Sequence, residues 1–138
     1  LAKESGLGMT TTVDDSGGTG RDISNDVTSI TINTSSGVQD VTGLDKSAME
    51  RLLLLGDGSG TINGVFNDAA TTGSHTVLKN YRTILAGQVG RTLAIAISGQ
   101  TLSMEVIFTS YDLNRAADGS LTFSAPYQLS NGTTPAWS

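Results

Sequence analysis

The sequence predicts a mainly β fold with many turns, and three observations carry that prediction. Seventeen glycines punctuate a chain in which only 15% of residues are charged and in which threonine, serine and short apolar runs prevail, a composition typical of all-β proteins. Several runs alternate apolar and polar residues with the period of two that a half-buried strand requires. One long segment departs from that period and repeats its apolar residues at helical spacing.

The strands follow from the alternation. Leu121, Phe123, Ala125, Tyr127 and Leu129 alternate with Thr122, Ser124, Pro126 and Gln128, and Pro126, which has no N–H to give a ladder, places this strand near an edge or a bulge. Leu102, Met104, Val106 and Phe108 share one face of another strand, with Ser103, Glu105, Ile107 and Thr109 on the other. Thr92 to Ser98 is apolar on both faces, and Gly99-Gln100 joins these two runs so closely that an antiparallel hairpin is the simplest connection. Upstream, Val27 to Thr34 is β-branched and ends at Ser35-Ser36-Gly37. Val38 to Thr42 and Thr61 to Phe66 are shorter strand candidates.

The helical segment is SHTVLKNYRTILAG. Val77, Leu78, Tyr81, Ile84 and Leu85 fall on one face, Ser74 suits the N-cap and Gly87 the left-handed stop, so an α-helix is expected at about 74–86. A short helix is expected at about 47–55, because Ser47-Ala-Met-Glu50 fits a capping box in which each end satisfies the other's free backbone donor. Leu52, Leu53, Leu54 and Leu55 follow. Either all four enter the core, or a partner covers apolar surface that one short helix cannot bury.

The chain of 138 residues reads as a single domain, 1–138, of a size that buries roughly two thirds of the surface its unfolded chain exposes. With no run near the roughly 20 apolar residues of a membrane span and no signal-like beginning, a soluble protein without membrane insertion is expected. The absence of cysteine excludes disulfides, thiolate zinc sites and cysteine nucleophiles, and the single histidine removes most His-based metal and triad arrangements. A net charge of -5 disfavours attraction to nucleic acid.

The remaining motifs carry little chemistry. Gly56-Asp-Gly-Ser-Gly60 lacks the G-x-G-x-x-G spacing of a dinucleotide site, the lysine of a P-loop and the central serine of a hydrolase elbow. His75 falls on the first helical turn without a positioned nucleophile, so a solvent-facing or locally bonded imidazole is expected. Asn33-Thr-Ser35 and Asn131-Gly-Thr133 match a glycosylation sequon too short to argue from. Asp14, Asp15, Asp22 and Asp26 offer hard oxygens suited to calcium, but they miss the D-x-D-x-D-G ladder. Ser16-Gly-Gly-Thr-Gly20 is therefore read as a turn joining a Met9 to Val13 strand to one at Ile23. No catalytic, cofactor or metal residue is assigned.

The order of these features resembles the tail tube (major tail) proteins of long-tailed bacteriophages. DDSGGTGRDIS leads into a β-branched strand, then come VQDVTGLDKSAMERLLLLGDGSGTINGVFND, SHTVLKN heading a helix, and strands ending in TSYDLNRAADGSLTFSAPYQLSNGTTPAW. The likeness spans about Val13 to Trp137 and lies in order and spacing. It implies a β-sandwich or barrel-like domain with one flanking helix. It also implies six-fold rings of this protein stacked into a hollow tube for genome delivery, as in phage tails, tailocins and gene-transfer particles. Partners would be other copies, the tape measure, tail tip and tail terminator proteins, and phage DNA passing through the lumen without specific binding. Location would be the virion tail, with assembly in the host cytoplasm.

The candidate subunit or ring interface is then Leu44, Met49, Leu52, Leu53, Leu54, Leu55 and Trp137, together with arms at 1–8 and 130–138 that are mobile in a free monomer. A reading from a different class is a calcium-dependent β-sandwich carbohydrate-binding module, drawing on Asp14 to Asp26 and on Tyr111, Tyr127 and Trp137 as stacking rings.

Overall fold

A computed structural model describes residues 3–138. In chain order the elements are β1 (Thr10–Asp14), β2 (Gly20–Asp22), β3 (Val27–Asp40), β4 (Arg51–Val65), α1 (Ser74–Leu78), β5 (Arg91–Ile97), β6 (Gln100–Phe108), β7 (Asp112–Arg115), β8 (Leu121–Leu129) and β9 (Ala136–Trp137). All nine strands join one antiparallel sheet in the order β2-β1-β5-β6-β8-β4-β3, with β7 added to β8 and β9 to β6. The mainly β architecture with one flanking helix is the expected one.

One face of the sheet is the core. Val13, Leu93, Ile95, Leu102, Met104, Val106, Phe108, Phe123, Ala125, Tyr127 and Ile62 are buried on it, and Val77 and Leu78 of α1 cover it. The two-residue alternation in β6 and β8 therefore reports the core as read from the sequence. The β5–β6 hairpin forms as expected, its turn one residue earlier, at Ser98-Gly99, where both residues have positive φ (52° and 77°). Such a turn twists in the sense of its flanking strands. Pro126 lies inside the sheet, opposite Thr61 of β4, at the point where the other flank of β8 changes partner from β7 to β6. Its carbonyl accepts from the Thr109 amide there, and the missing proline N–H faces that break, so the ladder loses nothing.

The core face of β4 is a row of glycines interrupted by Ile62. Gly56 leaves room for Thr134, Gly58 for Pro135 and Met104, Gly60 for the Tyr127 ring and Gly64 for the edge of Phe123. The GDGSG motif is thus a packing device on a strand. Tyr127 lies over Gly60 and donates its hydroxyl to the Thr31 carbonyl at 3.0 Å; burial pushes its phenol up to about 12, so it stays a donor at neutral pH. A Cβ on Gly60 would lie 2.6 Å from Tyr127 Oη and 2.8 Å from Cζ, and would strike the Thr31 carbonyl. Gly60→Ala is expected to cost about 1–3 kcal/mol of unfolding free energy in urea, whereas Gly6→Ala, with open space around it, should leave the curve in place.

Two expected helices are corrected. The segment at 47–55 is not helical. Arg51 to Leu53 pair with Asp40 to Val38, and the whole run Arg51–Val65 is one strand paired to β3. Ser47-Ala-Met-Glu50 forms no capping box; Thr42 Oγ1 instead accepts from the Glu50 amide at 2.8 Å and so helps close the loop between β3 and β4. The long partner strand β3 supplies the backbone bonds, and glycines at 56, 58 and 60, each costing about 1 kcal/mol in a helix, keep any helical run from extending past Leu55.

The segment at 74–86 is helical only over Ser74–Leu78. Beyond it the chain makes single tight turns, with Tyr81 N–H bonded to Leu78 O and Thr83 N–H to Asn80 O. The buried guanidinium of Arg91 explains the early end, because it takes the carbonyls of Val77 (2.8 Å), Asn80 (2.6 Å) and Thr83 (3.0 Å). The N-cap is Gly73, one residue before the expected Ser74, and Ser74 N–H is met from afar by the buried Asp26 carboxylate at 3.0 Å. Gly87 has the expected left-handed φ, +86°, but closes a turn beyond the helix.

Candidate assembly surface

β3 and β4 are the two longest strands, 14 and 15 residues, and their pairing runs on past the rest of the sheet. β8 pairs with β4 only from Val65 back to Ser59, so Gly56 to Arg51 have β3 as their sheet partner. The distal hairpin carries Leu52, Leu53, Leu54 and Leu55, and its loop carries Leu44 and Met49, all of them exposed; Leu53 is 77% and Leu55 90% accessible. None of the four leucines enters the core. The register shift between Ser36 and Val38, opposite Leu54 and Leu55, turns successive leucines to different sides of the ribbon. Contiguous exposed apolar surface is uncommon on proteins that act alone.

Trp137 stands apart from that cluster. It pairs with Leu102 as part of β9, half-exposed, and the chain reaches it by running over Gly56 and Gly58 at the root of the hairpin. Thr101 and Ser138 exchange both backbone bonds at 2.9 Å, so the C-terminal run ends in the sheet.

A second surface is the face of the sheet opposite the core. By register it presents Thr10 and Thr12 of β1, Ala94 and Ala96 of β5, Thr101 and Ser103 of β6, Ser124 and Gln128 of β8, Thr61 and Asn63 of β4, and Thr31 and Asn33 of β3. Its charged side chains are carboxylates: Asp14, Asp22, Asp57, Glu105 and Asp112. No lysine or arginine of the paired strands lies on it within the part shared with the body of the sheet. The signal for this face was the hydroxyl half of each alternating strand.

The early aspartates do not converge. β1 and β2 are joined by the expected turn, in which Asp15 accepts the amides of Gly17 (2.9 Å) and Thr19 (3.0 Å) and pairs with Arg21 at 3.0 Å. Asp22 accepts the Ser24 amide and Asp26 is turned inward to Asn67 and Ser74. Among the described residues no group of three or more acidic or histidine side chains comes together as metal ligands would. The Thr19 amide above all holds the Asp15 carboxyl below its ordinary 3.8; burial opposes it, and the Arg21 side chain and the Gly17 amide add to the lowering. On acidification the unfolded chain therefore takes up this proton first. The stabilisation is complete above about 3.8 and is lost as the pH falls through the lower folded value. The stability difference between the native chain and Asp15→Asn should accordingly be present at neutral pH and close below that range in an acid unfolding series.

The proposed stacking rings are likewise separated. Tyr127 is in the core, Trp137 is on β9, and Tyr111 bonds His75 Nδ1 at 3.1 Å. His75 is half-buried, and its bond to Tyr111 comes from 36 residues away and not from its own turn; its ring rests on Phe66 with centroids 4.5 Å apart.

These features define a class: a single-sheet, tail-tube-like β fold with one short helix and a projecting apolar hairpin. Solved structures share it over the whole chain. A chain from the tail of an empty gene transfer agent particle, obtained with helical refinement and C6 symmetry, superposes with a TM-score of 0.71 at 20% identity, covering 99% of this chain and 98% of that one. A chain from the virion of a native gene transfer agent particle gives 0.71 at 19% identity, with 99% of each chain covered. No protein-family profile matches the sequence, and no curated protein does. The likeness is one of fold, and it agrees with the resemblance to tail tube proteins in the sequence.

Proposed function

We propose that the chain is a structural tail tube subunit that assembles with copies of itself into six-fold rings, stacked as a hollow tube through which DNA is delivered. The observation that carries this reading is the solvent-exposed leucine hairpin on a fold shared, end to end, with chains of a C6-symmetric particle tail. An apolar projection of this kind is the surface a partner covers, and other copies are the partner the fold likeness supports. The subunit would reside in a virion tail, assemble in the host cytoplasm, and meet tape measure, tail tip and terminator proteins at the ends. No catalytic role is assigned.

The hydroxyl and carboxylate face would line the lumen. A wall without cations offers phosphate no ion pair, whereas rows of lysine would exchange counterions with the DNA and hold it. Asp57→Lys with Asp112→Lys, both exposed, should leave tubes intact and slow DNA release from particles; unchanged release would remove the lumen assignment. The carbohydrate-binding alternative has lost its geometry, since its aspartates and aromatic rings lie in separate places.

Negative-stain microscopy of the concentrated protein tests the main reading. Hollow filaments of uniform diameter are the expected result. Persistent monomers, also in the presence of purified tail tips, would overturn it.

A further inference from the structure

The C-terminal run is stretched between two fixed points. Ser130 is held by the Glu105 carbonyl, which accepts its amide at 3.0 Å and its hydroxyl at 3.2 Å. Thr134 and Pro135 lie over Gly56 and Gly58, and Ala136 and Trp137 then pair with Ser103 and Leu102. Between the two points Asn131, Gly132 and Thr133 are exposed. The Asn131 side chain is folded over the next peptide, its Oδ1 accepting the Thr133 amide at 3.1 Å. Gly132 has φ +72°, with open space where a Cβ would stand, and its amide donates to no group among the described residues.

That geometry suits an intramolecular reaction. The Gly132 nitrogen, once its proton has gone to solvent base, attacks Cγ of Asn131; the N–Cγ bond forms, the Cγ–Nδ2 bond breaks, and Nδ2 leaves as ammonia with a proton from water. Water then opens the five-membered imide at either carbonyl, leaving aspartate, or isoaspartate with the backbone routed through the side-chain methylene. The Thr133 N–H faces the oxygen on which negative charge develops during attack. The same bond keeps Cγ beside its nucleophile, and glycine brings no side chain into the approach. We propose that Asn131-Gly132 is a site at which the folded chain modifies itself, and that the isoaspartate product, one backbone atom longer between Ser130 and Thr134, releases β9 from β6. Of the two anchors β9 is the shorter, two residues against the nine of β8, so it is the end that yields.

Three similar pairs in the sequence are shut. Asn63-Gly64 is paired on β4 to both β3 and β8, and Asn63 Nδ2 donates to Ser29 Oγ at 3.2 Å. In Asp118-Gly119 the glycine amide is bonded to Ala116 O at 3.0 Å, and in Asp57-Gly58 to the Asp57 carboxylate at 2.8 Å. An ionised carboxylate is in any case a poor electrophile.

The chain has one tryptophan, so the emission of Trp137 reports β9 directly. The test holds the folded chain in mildly alkaline buffer at physiological temperature beside a sample unfolded in urea, and follows both by peptide mass spectrometry with fragmentation that separates isoaspartate from aspartate. In the folded chain Asn131 should convert at least about tenfold faster than Asn63, and in urea the two should convert at comparable rates. Trp137 emission should move to the red in step with isoaspartate. Asn131→Asp, which adds the charge without the extra backbone atom, should start from the native spectrum. Equal rates at the two sites in the folded chain, or an Asn131 that reacts only in urea, overturn the modification site. An unchanged spectrum in fully converted protein overturns the release of β9. Neither readout depends on assembly, so both stand apart from the tail tube reading.

Discussion

Leu53→Asp combined with Leu55→Asp is expected to abolish assembly while moving the unfolding free energy of the monomer by no more than about 0.5 kcal/mol. Both side chains are already in solvent and neither touches the core, so a folded monomer loses no packing by the exchange. An assembled contact loses twice. It forfeits the burial of two leucines, worth about 1.5–3 kcal/mol each, and it must desolvate two carboxylates that have no partner waiting. The check is sedimentation alongside thermal melting of the same samples. Loss of assembly with an unchanged melt supports the hairpin as the interface, whereas a collapsed melt would show that it belongs to the monomer's own stability.

Arg91→Met should have the largest effect on the monomer, at least about 3 kcal/mol and roughly 10 °C in melting temperature. Arg91 is 3% exposed, at the first position of β5 on the core face. Its guanidinium bonds carbonyls of Val77, Asn80, Thr83 and Asp14, and the Asn80 side chain. Burial lowers its pKa from the ordinary value, with Asp15 and Asp14 opposing, yet the group stays charged at any working pH. Methionine fills much of the volume but leaves the carbonyls that end α1 without donors. Lysine should rescue little, because three donors on one nitrogen cannot span carbonyls arranged around a planar fork. Measured by urea unfolding, a cost below about 1 kcal/mol would mean that water replaces these bonds.

What the sequence disclosed, and what it withheld, follows from how local each cause is. β6 and β8 were legible because one face is buried along their whole length, so each alternating side chain reports its own environment. The turn at Ser16 to Gly20 was legible because its determinants, Asp15 and the glycines, lie within it. The helix was drawn too long because its terminator, Arg91, sits 13 residues beyond Leu78 in sequence yet over it in space. Leu52 to Leu55 were visible as surplus apolar surface, but the element that carries them was not. Four leucines favour a helix locally, and only pairing with Val38 to Asp40 makes them a strand. The glycine row of β4 was in plain sight as Gly56, Gly58 and Gly60; its period of two was the clue that a strand, not a loop, was passing beneath larger side chains.

The ribbon of β3 and β4 leaves the body of the sheet on one side only. Any array that uses it is directional, with a last member that still offers a free probe and a first member whose receiving side stays open. Starting and stopping growth are then separate chemical problems, to be solved by two unlike caps, and a single foreign surface shaped to accept the ribbon would be enough to decide where the array begins.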